Sequence, residues 1–165
     1  MSMQHSIRVF EARDREPMHE ALERCAVFSN EEIMVALELM DIFLSQPLQK
    51  DYHFFSCAND SDEAMGYICI GRRPMTLGTF DMYWIVTEPA YQGRGIGAAL
   101  NRYAEDFVKQ NNGYLLLAET SSKNLYDATR QFYLARGYRE LARIADCYAP
   151  GDDLITYGKY FSQSE

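Results

Sequence analysis

Ile85-Val86-Thr87-Glu88-Pro89-Ala90-Tyr91-Gln92-Gly93-Arg94-Gly95-Ile96-Gly97-Ala98-Ala99-Leu100 is the stretch whose reading decides the fold. The apolar run Tyr83-Trp84-Ile85-Val86 reads as the end of a buried strand. A turn with Pro89 follows, then three alternating glycines, then a helical pattern. In that pattern Ile96, Leu100, Tyr103 and Phe107 recur at spacings of four, three and four, which is one helix face. Glycines between a strand end and a helix start remove Cβ atoms where several backbone N–H groups point outward unpaired. Such a helix N-terminus holds a phosphate through those N–H groups and the positive end of its dipole. The stretch predicts a pyrophosphate cradle.

Two phosphate-binding patterns fit it. Gly93-x-Gly95-x-x-Ala98 matches the dinucleotide fingerprint, whose glycines follow the first strand of a βαβ unit almost at once. Here six residues separate Val86 from Gly93, and more than eighty residues precede the glycines. The second pattern is Gln-x-x-Gly-x-Gly, met by Gln92, Gly95 and Gly97. With that motif after an apolar strand end, the chain resembles the GNAT superfamily of acyl-CoA-dependent N-acetyltransferases.

At 165 residues the chain has the size of one domain and can bury a core without disulfides or metal. Apolar residues make up 47% and aromatic residues 13%, which excludes disorder. No apolar run reaches membrane-spanning length, and the polar start from Met1 to Arg8 lacks the apolar stretch of a signal peptide. Cys25, Cys57, Cys69 and Cys147 are scattered, and they read as reduced, mostly core thiols in a cytoplasmic protein. His5, His19 and His53 have no ligand-like spacing, so no metal is expected. A net charge of −8 disfavours nucleic acid as a partner. An acidic surface steers cationic amines, although it also simply keeps soluble domains apart.

Along the chain, alternation over Ser6–Ala12 predicts a strand, and Glu16 with Pro17 opens a helix. Ser29 and Glu32 form a capping-box signal for a second helix with Ile33, Leu37, Met40 and Leu44 on one stripe, stopped by Pro47. Tyr52–Cys57 and Ala64–Ile70 form a hairpin, and Thr79–Val86 leads into the cradle. Asn111-Asn112-Gly113 signals a left-handed cap, and Tyr114–Ala118 reads as a central strand covered on both faces. A helix from about Asn124 to Ala135 closes at Gly137, before a terminal hairpin over Tyr138–Tyr148 and Leu154–Phe161. The expected class is α/β (α+β), order βααβββαβαββ, with one mixed, mostly antiparallel sheet of about seven strands flanked by four helices. The superfamily shares that order, and Phe132-Tyr133-Leu134-Ala135-Arg136-Gly137-Tyr138 resembles its Phe-Tyr-x-x-x-Gly-Phe segment.

Acetyl transfer to an amine needs a held donor, a neutral amine, a polarised carbonyl and an acid for the leaving thiolate. The resemblance assigns Tyr133 to protonating the CoA sulfur; a tyrosine packing beside Phe132 is the competing reading. A phenol of ordinary pKa near 10 is protonated at neutral pH, as that role requires. Asp81 stands where family members carry a basic glutamate, and alternation puts it on one strand face with Tyr83 and Ile85. Glu119 is the rival carboxylate, and a water chain can replace either. For acetyl-CoA, the backbone of Ile85 and Val86 would pair with the pantetheine arm. The N–H groups of Gln92, Gly93, Arg94, Gly95, Ile96, Gly97 and Ala98 would hold the pyrophosphate, with the Arg94 side chain near an outer phosphate. The family's cofactor-contacting Asn, seven residues before the tyrosine, is replaced here by Tyr126, with Asn124 nearby.

The acceptor would lie by Tyr83 and the early helices, where Glu32 either meets an ammonium or only caps its helix. Protein lysine, a protein N-terminus, an amino acid and a polyamine all remain open, and the aromatic terminal hairpin suits a homodimer. A covalent relay through Cys147 is rejected, because a lone strand cysteine is usually packing. Two other readings stand beside the transferase: a non-catalytic acyl-CoA-binding sensor or subunit, and a dinucleotide oxidoreductase with Glu119 on the ribose.

Overall fold

The periodicities resolve into elements in a computed structural model that describes residues 4–162; the first residues of the polar start lie outside that range. The strands are β1 (Ser6–Val9), β2 (His53–Ala58), β3 (Ala64–Arg72), β4 (Thr79–Thr87), β5 (Leu115–Ser121), β6 (Arg139–Ala149) and β7 (Asp152–Tyr160). The helices are α1 (Arg15–Arg24), α2 (Asn30–Ser45), α3 (Ile96–Gln110) and α4 (Asp127–Ala135), so the expected order holds. One seven-stranded sheet runs β1-β2-β3-β4-β5-β7-β6. The ladders are antiparallel at β1–β2, β2–β3, β5–β7 and β6–β7. β4 and β5 pair in parallel over Thr79–Met82 and Leu115–Ala118, with α3 as the crossover that parallel strands need. No helix among the described residues is long and apolar enough to cross a membrane.

The residues fall into two compact groupings, the chain up to Gly71 with Tyr83–Phe107, and Arg72–Met82 with the chain from Val108 onward. The first is built on a cluster that includes Phe10, Met18, Leu22, Ile33, Met40, Phe54, Tyr67 and Val86. Ser29 starts α2 as its motif requires: its N–H donates to the Glu32 carboxylate at 2.7 Å, and its Oγ accepts the Glu32 N–H at 3.2 Å. The buried stripe of α2 is Ile33, Ala36 and Met40, whereas Leu37 and Leu44 are only half-buried flanks. In α3 the buried line is Ile96, Leu100, Ala104 and Val108. Tyr103 and Phe107 do not share it, but pack from the side on Phe55, at ring distances of 4.7 and 5.4 Å. The α3 line advances by four residues and the α2 stripe by three and then four, both spacings that keep side chains on one helix face. Gly66 of β3 is demanded by space, since a Cβ there would sit 2.6 Å from the Val86 carbonyl oxygen.

In the second grouping the residue in left-handed backbone after α3 is Asn112 (φ 59), while the Gly113 N–H bonds the Val108 carbonyl at 2.8 Å. The glycine is needed for closeness instead: a Cβ on Gly113 would stand 2.8 Å from that same carbonyl. β5 extends to Ser121 and alternates, with Leu116, Ala118 and Thr120 buried but Leu115 and Leu117 half-buried and Glu119 exposed. Coverage on both faces, expected from its apolar run, is therefore incomplete. α4 closes with a Schellman motif: Tyr138 N–H to Tyr133 O and Gly137 N–H to Leu134 O, both 3.1 Å, with Gly137 at φ 85. β6 is the outer strand and is exposed from Arg139 to Tyr148, so Cys147 is an exposed thiol and not the packing residue expected. Cys57 and Cys69 are buried and Cys25 is partly so.

Candidate active site

The cradle stretch forms a short 3-10 turn, Pro89–Tyr91, and then α3. Gly93 and Gly95 lie at φ 75 and 84, in the left-handed region that glycine enters freely. A Cβ built on either meets no atom within 4 Å, so backbone conformation rather than crowding requires glycine there. The bond from Ala99 N–H to the Gly95 carbonyl, 3.0 Å, marks the first full helical turn. The N–H groups of Ile96, Gly97 and Ala98 precede it and are the orphan donors of a 15-residue helix. Arg94 and Gln92 are exposed, with the Arg94 guanidinium 5.6 Å from the Tyr91 ring centre. Glu88 steadies the entry: it accepts the Ala90 N–H at 3.4 Å and is held by Arg24 at 2.7 Å. These donors suit a diphosphate, and the turn leaves room over Gly93 and Gly95.

Val86 is buried and Ile85 half-buried at the end of β4. Tyr83 is 38% exposed and meets Tyr52 edge-on at 5.5 Å. Glu32 is engaged in the α2 cap described above.

Asp81 and Glu119, the two rival carboxylates, share one arginine. Arg73 Nη1 lies 3.0 Å from Asp81, and its Nη2 is 4.0 Å from Glu119. The Asp81 side chain is 18% exposed and the Glu119 side chain 44%. Burial pushes the Asp81 pKa up; Arg73 pulls the other way, and the Glu119 charge adds to the rise. A half-buried carboxyl of raised pKa beside a reservoir of positive charge can accept a proton and be rebalanced.

Tyr133 is buried at 4% exposure, its hydroxyl 3.9 Å from the Met82 sulfur. Its ring is packed by Tyr138 at 5.5 Å and Tyr157 at 5.8 Å. Burial raises its pKa from the ordinary 10, so the phenol stays protonated at neutral pH. Alternation puts Met82 and Asp81 on opposite faces of β4, so the Tyr133 hydroxyl and the Asp81 carboxylate serve different faces. Asn124 is exposed and Tyr126 half-buried in a 3-10 turn before α4. That corner is tied by Arg130, which donates to the Ser121 carbonyl at 2.7 Å and the Lys123 carbonyl at 2.8 Å.

Arg73 and Arg130 were not singled out in the sequence. Both act across a loop or a turn, where no periodicity points to them. Thr120 was also passed over, because the apolar run that marks the strand ends at Ala118, two residues before it.

A family model described as an acetyltransferase (GNAT) domain matches residues 50–140, which include the cradle, both carboxylates and Tyr133. Among solved structures, a GNAT-family protein from Desulfovibrio desulfuricans is 35% identical, with 95% of this chain and 99% of that one covered and a TM-score of 0.90. The ribosomal-protein-S18-alanine N-acetyltransferase from Escherichia coli is 17% identical over 98% of this chain and 97% of its own, at a TM-score of 0.74. An aminoglycoside 6′-N-acetyltransferase complexed with coenzyme A is also 17% identical, covering 97% and 99%, at 0.73. At 17% identity those two show likeness of fold alone. No curated protein matches this sequence significantly.

Proposed function

This chain belongs to the GNAT acetyltransferase family, and on that premise we propose that it carries acetyl from acetyl-CoA to a primary amine by direct attack in a ternary complex. The Gln92–Ala98 amides, with Arg94, hold the pyrophosphate, and the Ile85–Val86 backbone pairs with the pantetheine arm. Asn124 or Tyr126 takes the remaining cofactor contact. Asp81, or Glu119 in its place, removes the ammonium proton through water, since both carboxylates stand on the strand face opposite Met82 and Tyr133, with Arg73 orienting both. The amine nitrogen then attacks the carbonyl carbon, the carbon–sulfur bond breaks, and the thiolate takes the Tyr133 proton. Tyr83 lines the acceptor side, and Glu32 contributes negative charge there. The enzyme works as one domain in the cytoplasm, without metal, nucleic acid or membrane. The exposed β6 is the surface a second copy would meet in a homodimer.

The buried Tyr133 hydroxyl carries this reading. A phenol held in an aromatic cage, next to a thioether and kept protonated, is the group a leaving thiolate needs. Tyr133→Phe is expected to lower kcat by about a hundredfold or more, the ordinary worth of a general acid, while acetyl-CoA affinity by calorimetry stays within about twofold. An unimpaired kcat would remove Tyr133 from the mechanism. Gly95→Glu, which adds bulk and charge in a left-handed turn, should abolish acetyl-CoA binding in the same titration.

A further inference from the structure

Met82, Ala118 and Tyr157 stand in one register row across β4, β5 and β7. Tyr133 lies on that row, its hydroxyl by the Met82 sulfur and its ring stacked on Tyr157. The middle position is alanine, a small side chain. Side chains two apart on a strand share a face, so Thr120 projects onto this same face one row further along β5, opposite Ile155. Thr120 is 6% exposed, and its Oγ1 is buried without a hydrogen-bond partner. A valine would fill the same volume and leave no polar atom to satisfy, so the buried hydroxyl calls for an acceptor. The Tyr67 hydroxyl is likewise buried without a partner, but its ring packs on Phe10 and Phe54 in the apolar cluster of the other grouping.

Two hydroxyls, those of Tyr133 and Thr120, therefore face the same side of the same strands. A thioester presents two polar atoms, a sulfur and a carbonyl oxygen. Building on the acyl-CoA reading above, we propose that Thr120 Oγ donates a hydrogen bond to the thioester carbonyl oxygen of acetyl-CoA, while Tyr133 serves the sulfur. When the amine nitrogen bonds to the carbonyl carbon, the C=O π pair moves onto oxygen, and the Thr120 hydrogen bond strengthens as that charge grows. When the pair returns, the carbon–sulfur bond breaks, its electrons leave on sulfur, and sulfur takes the Tyr133 proton. The ammonium proton passes through water to Asp81 or Glu119 on the opposite strand face, and Thr120 keeps its own proton throughout. Thr120 is thus a catalytic residue of the same face, acting on oxygen.

Calorimetric titration with acetyl-CoA and with free CoA tests this on wild type, Thr120→Val, Thr120→Ala and Thr120→Ser. Free CoA has no thioester carbonyl. The Val and Ala variants are expected to bind acetyl-CoA about fivefold more weakly and to bind CoA as wild type does. Ser should return acetyl-CoA affinity to within about twofold, and kcat should follow the same order with larger losses. Wild-type affinities for both ligands in Val and Ala would overturn the inference alone. So would an equal loss for both ligands, which would mean that Thr120 shapes the site without touching the carbonyl. A wild-type protein that binds neither ligand would overturn the acyl-CoA reading itself.

Discussion

Arg73 changes what a carboxylate in this site can do. It joins Asp81 at 3.0 Å and Glu119 at 4.0 Å, so neither carboxylate acts alone. Burial, opposed by Arg73 and helped by Glu119, leaves the Asp81 pKa above its ordinary 3.8 in the folded protein. The sign follows directly. A carboxyl that holds its proton more tightly when folded favours the fold below the unfolded value, and that contribution is lost as pH rises through the folded pKa. The same shift brings it nearer the range where a base is useful. The acidic limb of the kcat/KM profile should therefore turn above the ordinary carboxylate range, and Asp81→Asn should abolish it with about a hundredfold loss of kcat/KM. The variant's stability relative to wild type should improve across the same pH interval. A limb that survives in Asp81→Asn would transfer the role to Glu119, to be checked by Glu119→Gln.

Among the elements, what was legible in the sequence was what closes within one turn. Ser29 and Glu32 exchange their hydrogen bonds three residues apart, so four letters carry the whole cap. The glycine turn before α3 and the Schellman close at Gly137 are equally local. Arg73 could not be read in this way, because its partners lie on two strands brought together by the parallel β4–β5 ladder. The coverage of β5 was misread for a related reason: an apolar run records tolerance for burial, and the packing around it decides which face is covered. The side-on placement of Tyr103 and Phe107 depends on the neighbouring Phe55, which the helix's own sequence does not contain. The cap gives a clean measure of a local device. Ser29→Ala should destabilise the protein by about 1 kcal/mol in a urea titration and leave kcat unchanged, since the Ser29 side chain acts on its own helix end.

At the scale of the whole molecule, the net charge of −8 sets a field that any cationic acceptor crosses on its way in. Attraction through solvent is screened beyond about 8 Å at physiological salt. For a cationic amine acceptor, kcat/KM should fall several-fold from low to high ionic strength with kcat nearly constant, the mark of steering. A flat response would leave the acidic surface with solubility as its task. The sheet order itself was legible as a class, mixed and mostly antiparallel, because hairpin turns and one helical crossover permit few alternatives.

The exposed outer strand β6 has a practical consequence for optical work on this enzyme. Cys57 and Cys69 are buried, and burial lifts the Cys57 thiol to about 11 and that of Cys69 well above its usual value. Cys25 is half-hidden, and burial raises its thiol as well. Thiolate, not thiol, is the form that reacts. A maleimide fluorophore added to the native enzyme near neutral pH would thus find one ready address, Cys147, and label the wild-type chain at a single known point without a cysteine-free background.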